Sequence, residues 1–354
     1  MYHMTEELAL NAIYGGWLLG GGGGGALVGG KGVVRVAMAN GGFDVCTIDE
    51  LTPETLVVTG SLVGSPSSGG DDPSGASCVR AYELFRKNTG CTIGALISNE
   101  SGAHSITNGW IAAAVNHLPV IDAACNGRAH PTGIMGAMSL HRKDGYQTVQ
   151  AAAGGTGEQE LNLFTSGTIA STSQMVRTAS TMTGGMISVL RNPIDAEYVR
   201  ENAAIGTLSM CIEVGKTIRE CENKPEAMAE NLGKQIGLQV LAQGKLHDFK
   251  LECKGGFDVG SAVIGDGYEV TFWNEYMTAE KDGERLATFP DLIHLLDSKS
   301  GLPICSAALS DGMDVMLVNV PREKLLLGST MFDKKLFEAC EQAIEKPMIP
   351  FVFK

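Results

Sequence analysis

The chain has 354 residues, 44% of them hydrophobic and 19% charged, which is enough for two domains or one large domain with a substantial core. Its 27 basic and 40 acidic residues give a net charge of −13, which argues against nucleic acid or an anionic membrane as the principal partner. Nine scattered cysteines without a C-x-x-C pair favour a reducing compartment, and no apolar run approaches the ~20 residues of a membrane span. We therefore expect a cytoplasmic globular protein.

The first half of the chain alternates between helical and strand-like segments. Thr5 followed by two glutamates is typical of a capped helix, which we expect to end at Gly15-Gly16. A six-glycine loop, Gly20–Gly25, precedes a second helix from Ala26 toward Ala39. Strand-like runs follow at 46–51, 55–61, 93–97 and 118–122, with helical segments at 76–88 and 105–117. This rhythm predicts a parallel sheet with helices on its faces, and the low-complexity segment 64–75 is a loop over a site or an insertion.

The pattern changes at Leu238. Before it, segments 169–181, 195–222 and 225–236 have helical spacing, and 186–191 reads as a strand. After it, short segments rich in Val, Ile, Phe and Tyr are separated by glycine turns, at 245–253, 257–264, 268–277, 285–297 and 313–320. This pattern predicts a small all-β domain over 238–321. We expect residues 1–237 to form an α/β domain together with 322–354, whose helix at 334–344 returns to it.

Polar residues concentrate between Asn99 and Met138, where they are interleaved with alanine and glycine. They follow two of the strand-like runs, at the edge where open α/β sheets bind ligands. The residues are Glu100, His104, Asn108, Asp122, Asn126, Arg128 and His130. Buried polar groups need partners, so they are either structural hydrogen-bonding groups at strand ends or a ligand site. We expect an active site here.

Several of these side chains have the chemistry of metal ligands. Imidazole and thiolate suit zinc, so His104, His130, Asp122 and Cys125, with Glu100 nearby, are candidate ligands for zinc or another divalent metal. The spacing matches no dense metal motif. Cys125 is alternatively a nucleophile that would need one of the two histidines as its base.

Backbone and side-chain groups for substrate binding can also be named. In the glycine loop, the N–H groups of Gly22, Gly23 and Gly24 could form an anion nest before a helix, although tight helix packing is an equal alternative. The loop matches neither a Walker A motif nor a dinucleotide fingerprint, so no nucleotide is expected. Gly184-Gly185 is a second candidate loop on the same pocket. The planar fork of Arg128 suits a carboxylate, and Asn108 and Asn126 are further candidate substrate contacts.

Together these stretches resemble the S-methyl-thiohydantoin desulfurase-like family. The resemblance rests on Gly20–Gly25, on Glu100-Ser101-Gly102 through Asn108, on Leu118–Asp122 leading to Gly127-Arg128-Ala129-x-Pro131, on Thr183-Gly184-Gly185 through Gly206–Ser209, and on Phe289–Ile293 with Leu296-Asp297. It implies a three-layer α/β domain with a parallel or mixed sheet, and a second, smaller all-β, barrel-like domain.

The resemblance also implies a reaction. A hydrolase of this kind adds water to a ring carbon of a small cyclic amide or thiohydantoin and expels methanethiol. It needs a base, for which Glu100 or Asp122 would serve as carboxylate or metal ligand, and His130 or His104 would carry protons or bind the metal. Arg128 would hold a substrate carboxylate.

A second reading stays open beside the hydrolase. Relatives often carry an acidic residue at the position of Ala124 and an aromatic residue at that of His130. A chain without the second acid could instead be an accessory subunit that partners a hydantoinase- or oxoprolinase-type enzyme. In either reading we expect a small-molecule ligand and a homo-oligomer.

Overall fold

The computed structural model describes residues 1–64, 75–255 and 257–353, so the low-complexity segment lies, except for its two terminal glycines, outside the described residues. The helices are α1 (Glu6–Leu19), α2 (Leu27–Ala39), α3 (Ala76–Thr89), α4 (Trp110–Asn116), α5 (Ile169–Met182), α6 (Ala196–Asn202), α7 (Thr207–Glu220), α8 (Pro225–Ile236), α9 (Phe337–Ile344) and α10 (Ile349–Val352). None of these helices is long and apolar enough to cross a membrane.

The strands form two sheets. The first contains β1 (Tyr2–His3), β2 (Asp44–Cys46), β3 (Leu56–Gly64), β4 (Ala95–Ser98), β5 (Val120–Ala124), β6 (Thr148–Gly154), β7 (Leu161–Gly167), β8 (Met186–Asp195) and β9 (Ala204–Ile205). The second contains β10 (Gln239–Lys254), β11 (Phe257–Ile264), β12 (Tyr268–Trp273), β13 (Glu275–Lys281), β14 (Glu284–Thr288), β15 (Leu292–Asp297), β16 (Pro303–Ile304) and β17 (Asp314–Val320).

The first sheet is mixed, in the order β1-β2-β5-β4-β3-β8-β6-β7, with β9 beside β5. Its centre, β2, β5, β4 and β3, is parallel, whereas β8, β6 and β7 are antiparallel additions. Strand β8 lies between β3 and β6 and is hydrogen-bonded to both. The predicted parallel or mixed sheet is therefore confirmed.

Helices and loops cover both faces of this sheet. Successive residues along β3, β4 and β5 belong to two different apolar clusters, because side chains alternate between the two faces of a sheet. The two sets are Val58, Leu96 and Val120 on one face, and Val57, Ile97 and Ile121 on the other. Helices α1, α2, α4 and α7 cover the first face, and α6 with segment 134–140 covers the second. This arrangement has the three layers that the family resemblance implied.

The second sheet is wholly antiparallel, in the order β14-β13-β12-β11-β10-β17-β15-β16. Residues from β11, β12 and β13 share one apolar cluster with residues from β15 and β17, so the sheet curls around a common core. The predicted all-β unit is confirmed, although segment 268–277 is not one strand. It reverses at Asn274, whose φ of 58° separates β12 from β13.

Segments 46–51 and 105–117 differ from prediction in the first half of the chain. Segment 46–51 leaves the strand at Cys46, because Thr47 and Glu50 form a capping box around a 3-10 turn. The predicted helix 105–117 is a 3-10 turn, Ser105–Thr107, followed by α4.

Helix α1 does not end at Gly15-Gly16 but continues to Leu19. A Cβ atom on Gly15 would lie 1.9 Å from the carbonyl oxygen of Cys211 in α7, and one on Gly16 would lie 2.5 Å from that of Gly102. The two glycines therefore permit close backbone packing and do not terminate the helix.

The six-glycine loop is hydrogen-bonded to residues of both sheet units. On the β side, the Gly21 carbonyl accepts from the Tyr276 N–H at 2.8 Å and the Gly22 carbonyl accepts from the Ser306 N–H at 3.1 Å. On the α/β side, the Gly24 carbonyl accepts from the N–H groups of His104 and Ser105, each at 3.0 Å. The loop thus links the two sheet units.

The C-terminal helix α9 lies against the second sheet. Its Phe337 and Cys340 share an apolar cluster with Trp273 and Met277 of β12 and β13. The same cluster includes Met135 of the α/β unit, so the helix contacts both units.

Candidate functional site

A cavity of about 350 Å³ lies between the two sheet units, and we call it the interdomain cavity. Its walls carry Glu100, His130, Arg177 and Arg191 from the α/β unit and Glu275 from the β unit. A volume of a few hundred Å³ with convergent polar groups is typical of small-molecule sites.

Glu100 and His130 form a pair in this cavity. The Nε2 atom of His130 lies 3.1 Å from Oε2 of Glu100, and the His130 N–H donates to the same oxygen at 3.3 Å. On the other side of the ring, Nδ1 lies 2.8 Å from the carbonyl oxygen of Thr132, which fixes Nδ1 as the protonated nitrogen. In the described part of the chain, Nε2 is buried without a hydrogen-bond partner, so its 3.1 Å approach to Oε2 is a close contact of the two groups and not a formed hydrogen bond.

Burial sets the protonation of this pair. It raises the pKa of Glu100 to about 7, against the lowering effect of the His130 N–H and of Arg191 and Arg177. Burial, with the nearby charge of Arg191, lowers the pKa of His130 to about 3. Near neutral pH the imidazole is therefore neutral, and the Glu100 carboxyl exchanges its proton readily.

Two arginines supply positive charge to the cavity. Arg191 projects from β8, and burial lowers the pKa of its guanidinium to about 10. Arg177 of α5 donates from Nη1 to the Gly64 carbonyl at 2.9 Å and stacks 4.6 Å from the ring centre of Phe257. Both guanidinium groups act to lower the pKa of the Glu100 carboxyl, against the effect of burial. Their positive charge therefore favours an anionic form of that group or of a ligand in the cavity.

Glu275 brings a second carboxyl group from the β unit. It follows the reversal at Asn274, and its Oε1 occupies the space of a Gly23 Cβ, 1.9 Å from where that atom would lie. Burial, followed by the charge of Glu100, raises the pKa of Glu275 well above its ordinary value. Within the described residues, its Oε2 is buried without a hydrogen-bond partner. A protonated Glu275 carboxyl could donate a hydrogen bond to a ligand.

Asp122, proposed from the sequence as a base or metal ligand, lines neither this cavity nor the second one described below. Its carboxylate accepts from the Ser209 N–H at 2.8 Å and from the Ser209 hydroxyl at 2.6 Å. Ser209 is in the first turn of α7, whose N-cap, Gly206, has no side chain to cap the helix. Asp122 supplies that cap from the neighbouring strand.

Replacing Asp122 by asparagine is expected to cost about 1 kcal/mol of folding free energy, because the cap of α7 loses its charge. Chemical denaturation would measure the loss. Ligand binding in the interdomain cavity should stay unchanged, and a larger effect on binding than on stability would contradict the capping role.

The four residues proposed as metal ligands do not form one ligand set. Cys125 is buried beneath Thr59, with its Sγ 3.5 Å from the Thr59 hydroxyl, and burial raises the pKa of its thiol to about 11. His104 and His130 line the interdomain cavity, whereas Asp122 caps α7. Over the described parts of the chain, no group of three His, Cys, Asp or Glu side chains is placed to hold a metal ion. No step below is routed through a metal.

Arg128 and Asn126 lie behind the cavity wall. Arg128 donates from Nη1 to the carbonyl oxygens of Pro290 and Asp291 and stacks 4.5 Å from the centre of the Phe289 ring. Its positive charge acts on the Glu275 carboxyl. Asn126 accepts from the Thr330 hydroxyl at 2.6 Å. Arg128 is therefore engaged in the contact between the two units, and Asn126 holds the segment that follows β17.

The glycines proposed for substrate binding are divided between several places. Of Gly22, Gly23 and Gly24, only Gly24 lines the interdomain cavity, and the Gly22 N–H donates to Nε2 of His294 at 3.1 Å. Asn108 and Gly184 line a second cavity. Gly185 adjoins that cavity, and its N–H donates to the Ser180 carbonyl at 2.9 Å.

Sequence reasoning missed Arg177, Arg191 and Glu275. Each is the single charged residue in an otherwise uncharged stretch of its helix or strand. The available signal was weak: Arg191 follows the apolar run Ile187–Leu190, and charged residues are rarely buried without a partner. Tertiary packing brings them to Glu100: α5 and β8 within the first unit place the two arginines, and the second sheet places Glu275.

The mixed sheet and the curled antiparallel sheet, with Glu100 and His130 in the cavity between them, define a two-unit α/β protein with a polar cavity. The chain belongs to the S-Me-THD-like family, whose N-terminal domain matches residues 9–161 and whose C-terminal domain matches residues 168–331. This membership confirms the resemblance found in the sequence. The N-terminal match ends at the first residue of β7 and the C-terminal match begins just before α5, so the boundary falls along β7 within the nine-stranded sheet.

One solved structure has the same fold. It is a crystal structure of a protein from Chromobacterium violaceum, a structural genomics target, with 19% sequence identity and a TM-score of 0.74. The alignment covers 98% of this chain and 99% of that protein. Among curated proteins, none has significant similarity to this chain.

Proposed function

We propose that this protein hydrolyses a small cyclic amide of the thiohydantoin type, with S-methyl thiohydantoin as the model substrate. The observation that carries the proposal is the buried pair of Glu100 and His130, 3.1 Å apart, in a cavity that also holds two arginines. Family membership supports a thiohydantoin-related ligand.

The reaction requires proton transfer at two points. A water oxygen bonds to the ring carbon that carries the methylthio group, and the water proton passes to the Glu100 carboxylate. The carbon–sulfur bond then breaks, the ring carbon becomes a carbonyl, and methanethiol leaves with a proton. The products are one hydantoin and one methanethiol for each water consumed.

The described residues have the chemistry that each step of this reaction requires. Glu100 is the base, because its pKa of about 7 allows it to accept and return a proton near neutral pH. His130 holds that carboxyl through its backbone N–H. Arg177 and Arg191 stabilise the negative charge that develops on the ring. Protonated Glu275 lines the same cavity and donates a proton to the leaving group.

The rate of methanethiol release is expected to rise with pH and to level off above about pH 7. Glu100 must lose its proton to act as a base, and burial raises its pKa to about 7. Below that pH, kcat/KM should fall about tenfold per pH unit. A thiol-reactive dye would follow the release between pH 5.5 and 9, with an unsubstituted hydantoin as the blank. A flat profile over that range would exclude Glu100 as the base.

A further inference from the structure

A second cavity, of about 370 Å³, adjoins the interdomain cavity. The two share Leu62, His104 and Met186 as lining residues. Asn108, which lines the second cavity, donates from Nδ2 to Oδ1 of Asn99, which lines the interdomain cavity, at 2.7 Å. The two spaces therefore share a boundary formed by these side chains and are close enough together for one extended ligand to reach both.

The two cavities differ in charge. Glu100, Glu275, Arg177 and Arg191 all line the interdomain cavity. Among the described residues that line the second cavity there is no Asp, Glu or Lys, and its arginine, Arg35, belongs to the exposed surface of α2. A charged group placed there would lose its hydration without gaining an opposite charge.

The remaining lining of the second cavity is small and largely apolar. It includes several glycines, among them Gly29, Gly32, Gly109 and Gly184, and aliphatic side chains such as Val33 and Ile111. Uncharged hydrogen-bonding groups are also present, on Asn108 and Gln159 and on serine and threonine residues that include Ser61, Thr107, Thr183 and Ser188. Such a lining suits an uncharged aromatic or aliphatic group and tolerates neutral polar atoms on it.

From this contrast we infer that the second cavity binds an uncharged substituent carried by the substrate ring, while the ring itself lies beside Glu100. The inference rests on the proposed function and specifies its substrate class: a thiohydantoin whose ring carbon bears an aromatic or aliphatic arm. It also assigns a role to Asn108 and Gly184, which line the cavity for the arm.

The substrate class can be tested by calorimetry with hydantoins, the products of the proposed reaction. 5-Benzylhydantoin is expected to bind at least ten times more tightly than unsubstituted hydantoin and than hydantoin-5-acetic acid. Gly32 offers a way to fill the cavity, because a Cβ on this helical residue meets nothing within 4 Å. Gly32→Leu should weaken 5-benzylhydantoin at least tenfold and leave unsubstituted hydantoin unchanged, and Gly32→Ala should change neither more than twofold.

The outcomes separate this inference from the proposed function. Equal affinity for the three hydantoins, or a preference for the acetic acid arm, would overturn the assignment of the second cavity while the hydrolase proposal stands. If no hydantoin binds and no methanethiol is released from any S-methyl thiohydantoin, both proposals fail. The comparison of ligands on the unaltered protein decides the matter even if Gly32→Leu folds poorly.

Discussion

Replacing Glu100 by glutamine is expected to lower the turnover of an S-methyl thiohydantoin by about 100-fold or more, because a positioned general base contributes roughly that factor. Glutamine has nearly the same shape and can still occupy the site beside His130, so substrate binding should change little. Steady-state release of methanethiol by Glu100→Gln and by the unaltered protein would measure the loss. A variant with more than a tenth of the original kcat would remove Glu100 from the mechanism.

The same variant has a second signature in stability. The folded-state pKa of Glu100, about 7, lies above its ordinary value of 4.5, so the folded protein holds this proton more tightly than the unfolded chain. The contribution is fully present below pH 4.5 and is lost as the pH rises through 7. Glutamine does not titrate, so between pH 4.5 and 8 the variant should gain up to about 3 kcal/mol relative to the unaltered protein.

Asp122→Asn is the matched control for both measurements. It also exchanges a carboxylate for an amide, and it was an equal candidate for the base when only the sequence was considered. Because Asp122 caps α7, its replacement should lower stability and spare turnover, which is the reverse of the result expected for Glu100. Similar kinetic losses in the two variants would indicate indirect effects.

Replacing Gly215 by alanine is expected to destabilise the protein by about 3 kcal/mol, at the upper end of what overpacking usually costs. A Cβ on Gly215 of α7 would lie 1.7 Å from the carbonyl oxygen of Asn11 and 2.5 Å from the N atom of Gly15, both in α1. These are backbone atoms of a packed helix, so a side-chain rotation cannot relieve the clash. Denaturant unfolding monitored by circular dichroism would measure the effect.

Gly32→Ala is the control for this change. Gly32 is also in a helix, but nothing lies within 4 Å of its added Cβ, so alanine should stabilise the protein by about 0.5–1 kcal/mol through helix propensity. Opposite signs for two Gly→Ala changes in helices would confirm that backbone contact between α1 and α7 sets the cost. A loss below 1 kcal/mol at Gly215 would show that the helices can separate without penalty.

The order of elements could be predicted from the sequence because it depends on local patterns. Apolar strands such as 55–61, helical spacing in 195–222 and glycine turns after Leu238 all indicate their structures within a few residues. The end of α1 could not be predicted, since Gly15-Gly16 has the composition of a helix terminus. Its helical conformation depends on Cys211 and Gly102, which are distant in the sequence.

The candidate site was predictable only in part, for the same reason. Glu100 and His130 stand at strand ends within a polar cluster, so their chemistry is visible locally. Asp122 has the same local signal, yet the first turn of α7 binds its carboxylate. Glu275 comes from the other sheet unit, and no pattern in its own segment indicates that it faces Glu100.

The position of β8 makes the two family domains structurally dependent on each other. This strand belongs to the C-terminal family domain, yet it lies between β3 and β6, which both belong to the N-terminal one. A gene fragment encoding 9–161 alone would lack β8, so β3 and β6 would each be left with an unpaired edge. The two domains therefore cannot be exchanged or fused elsewhere as independent modules, and each constrains the evolution of the other.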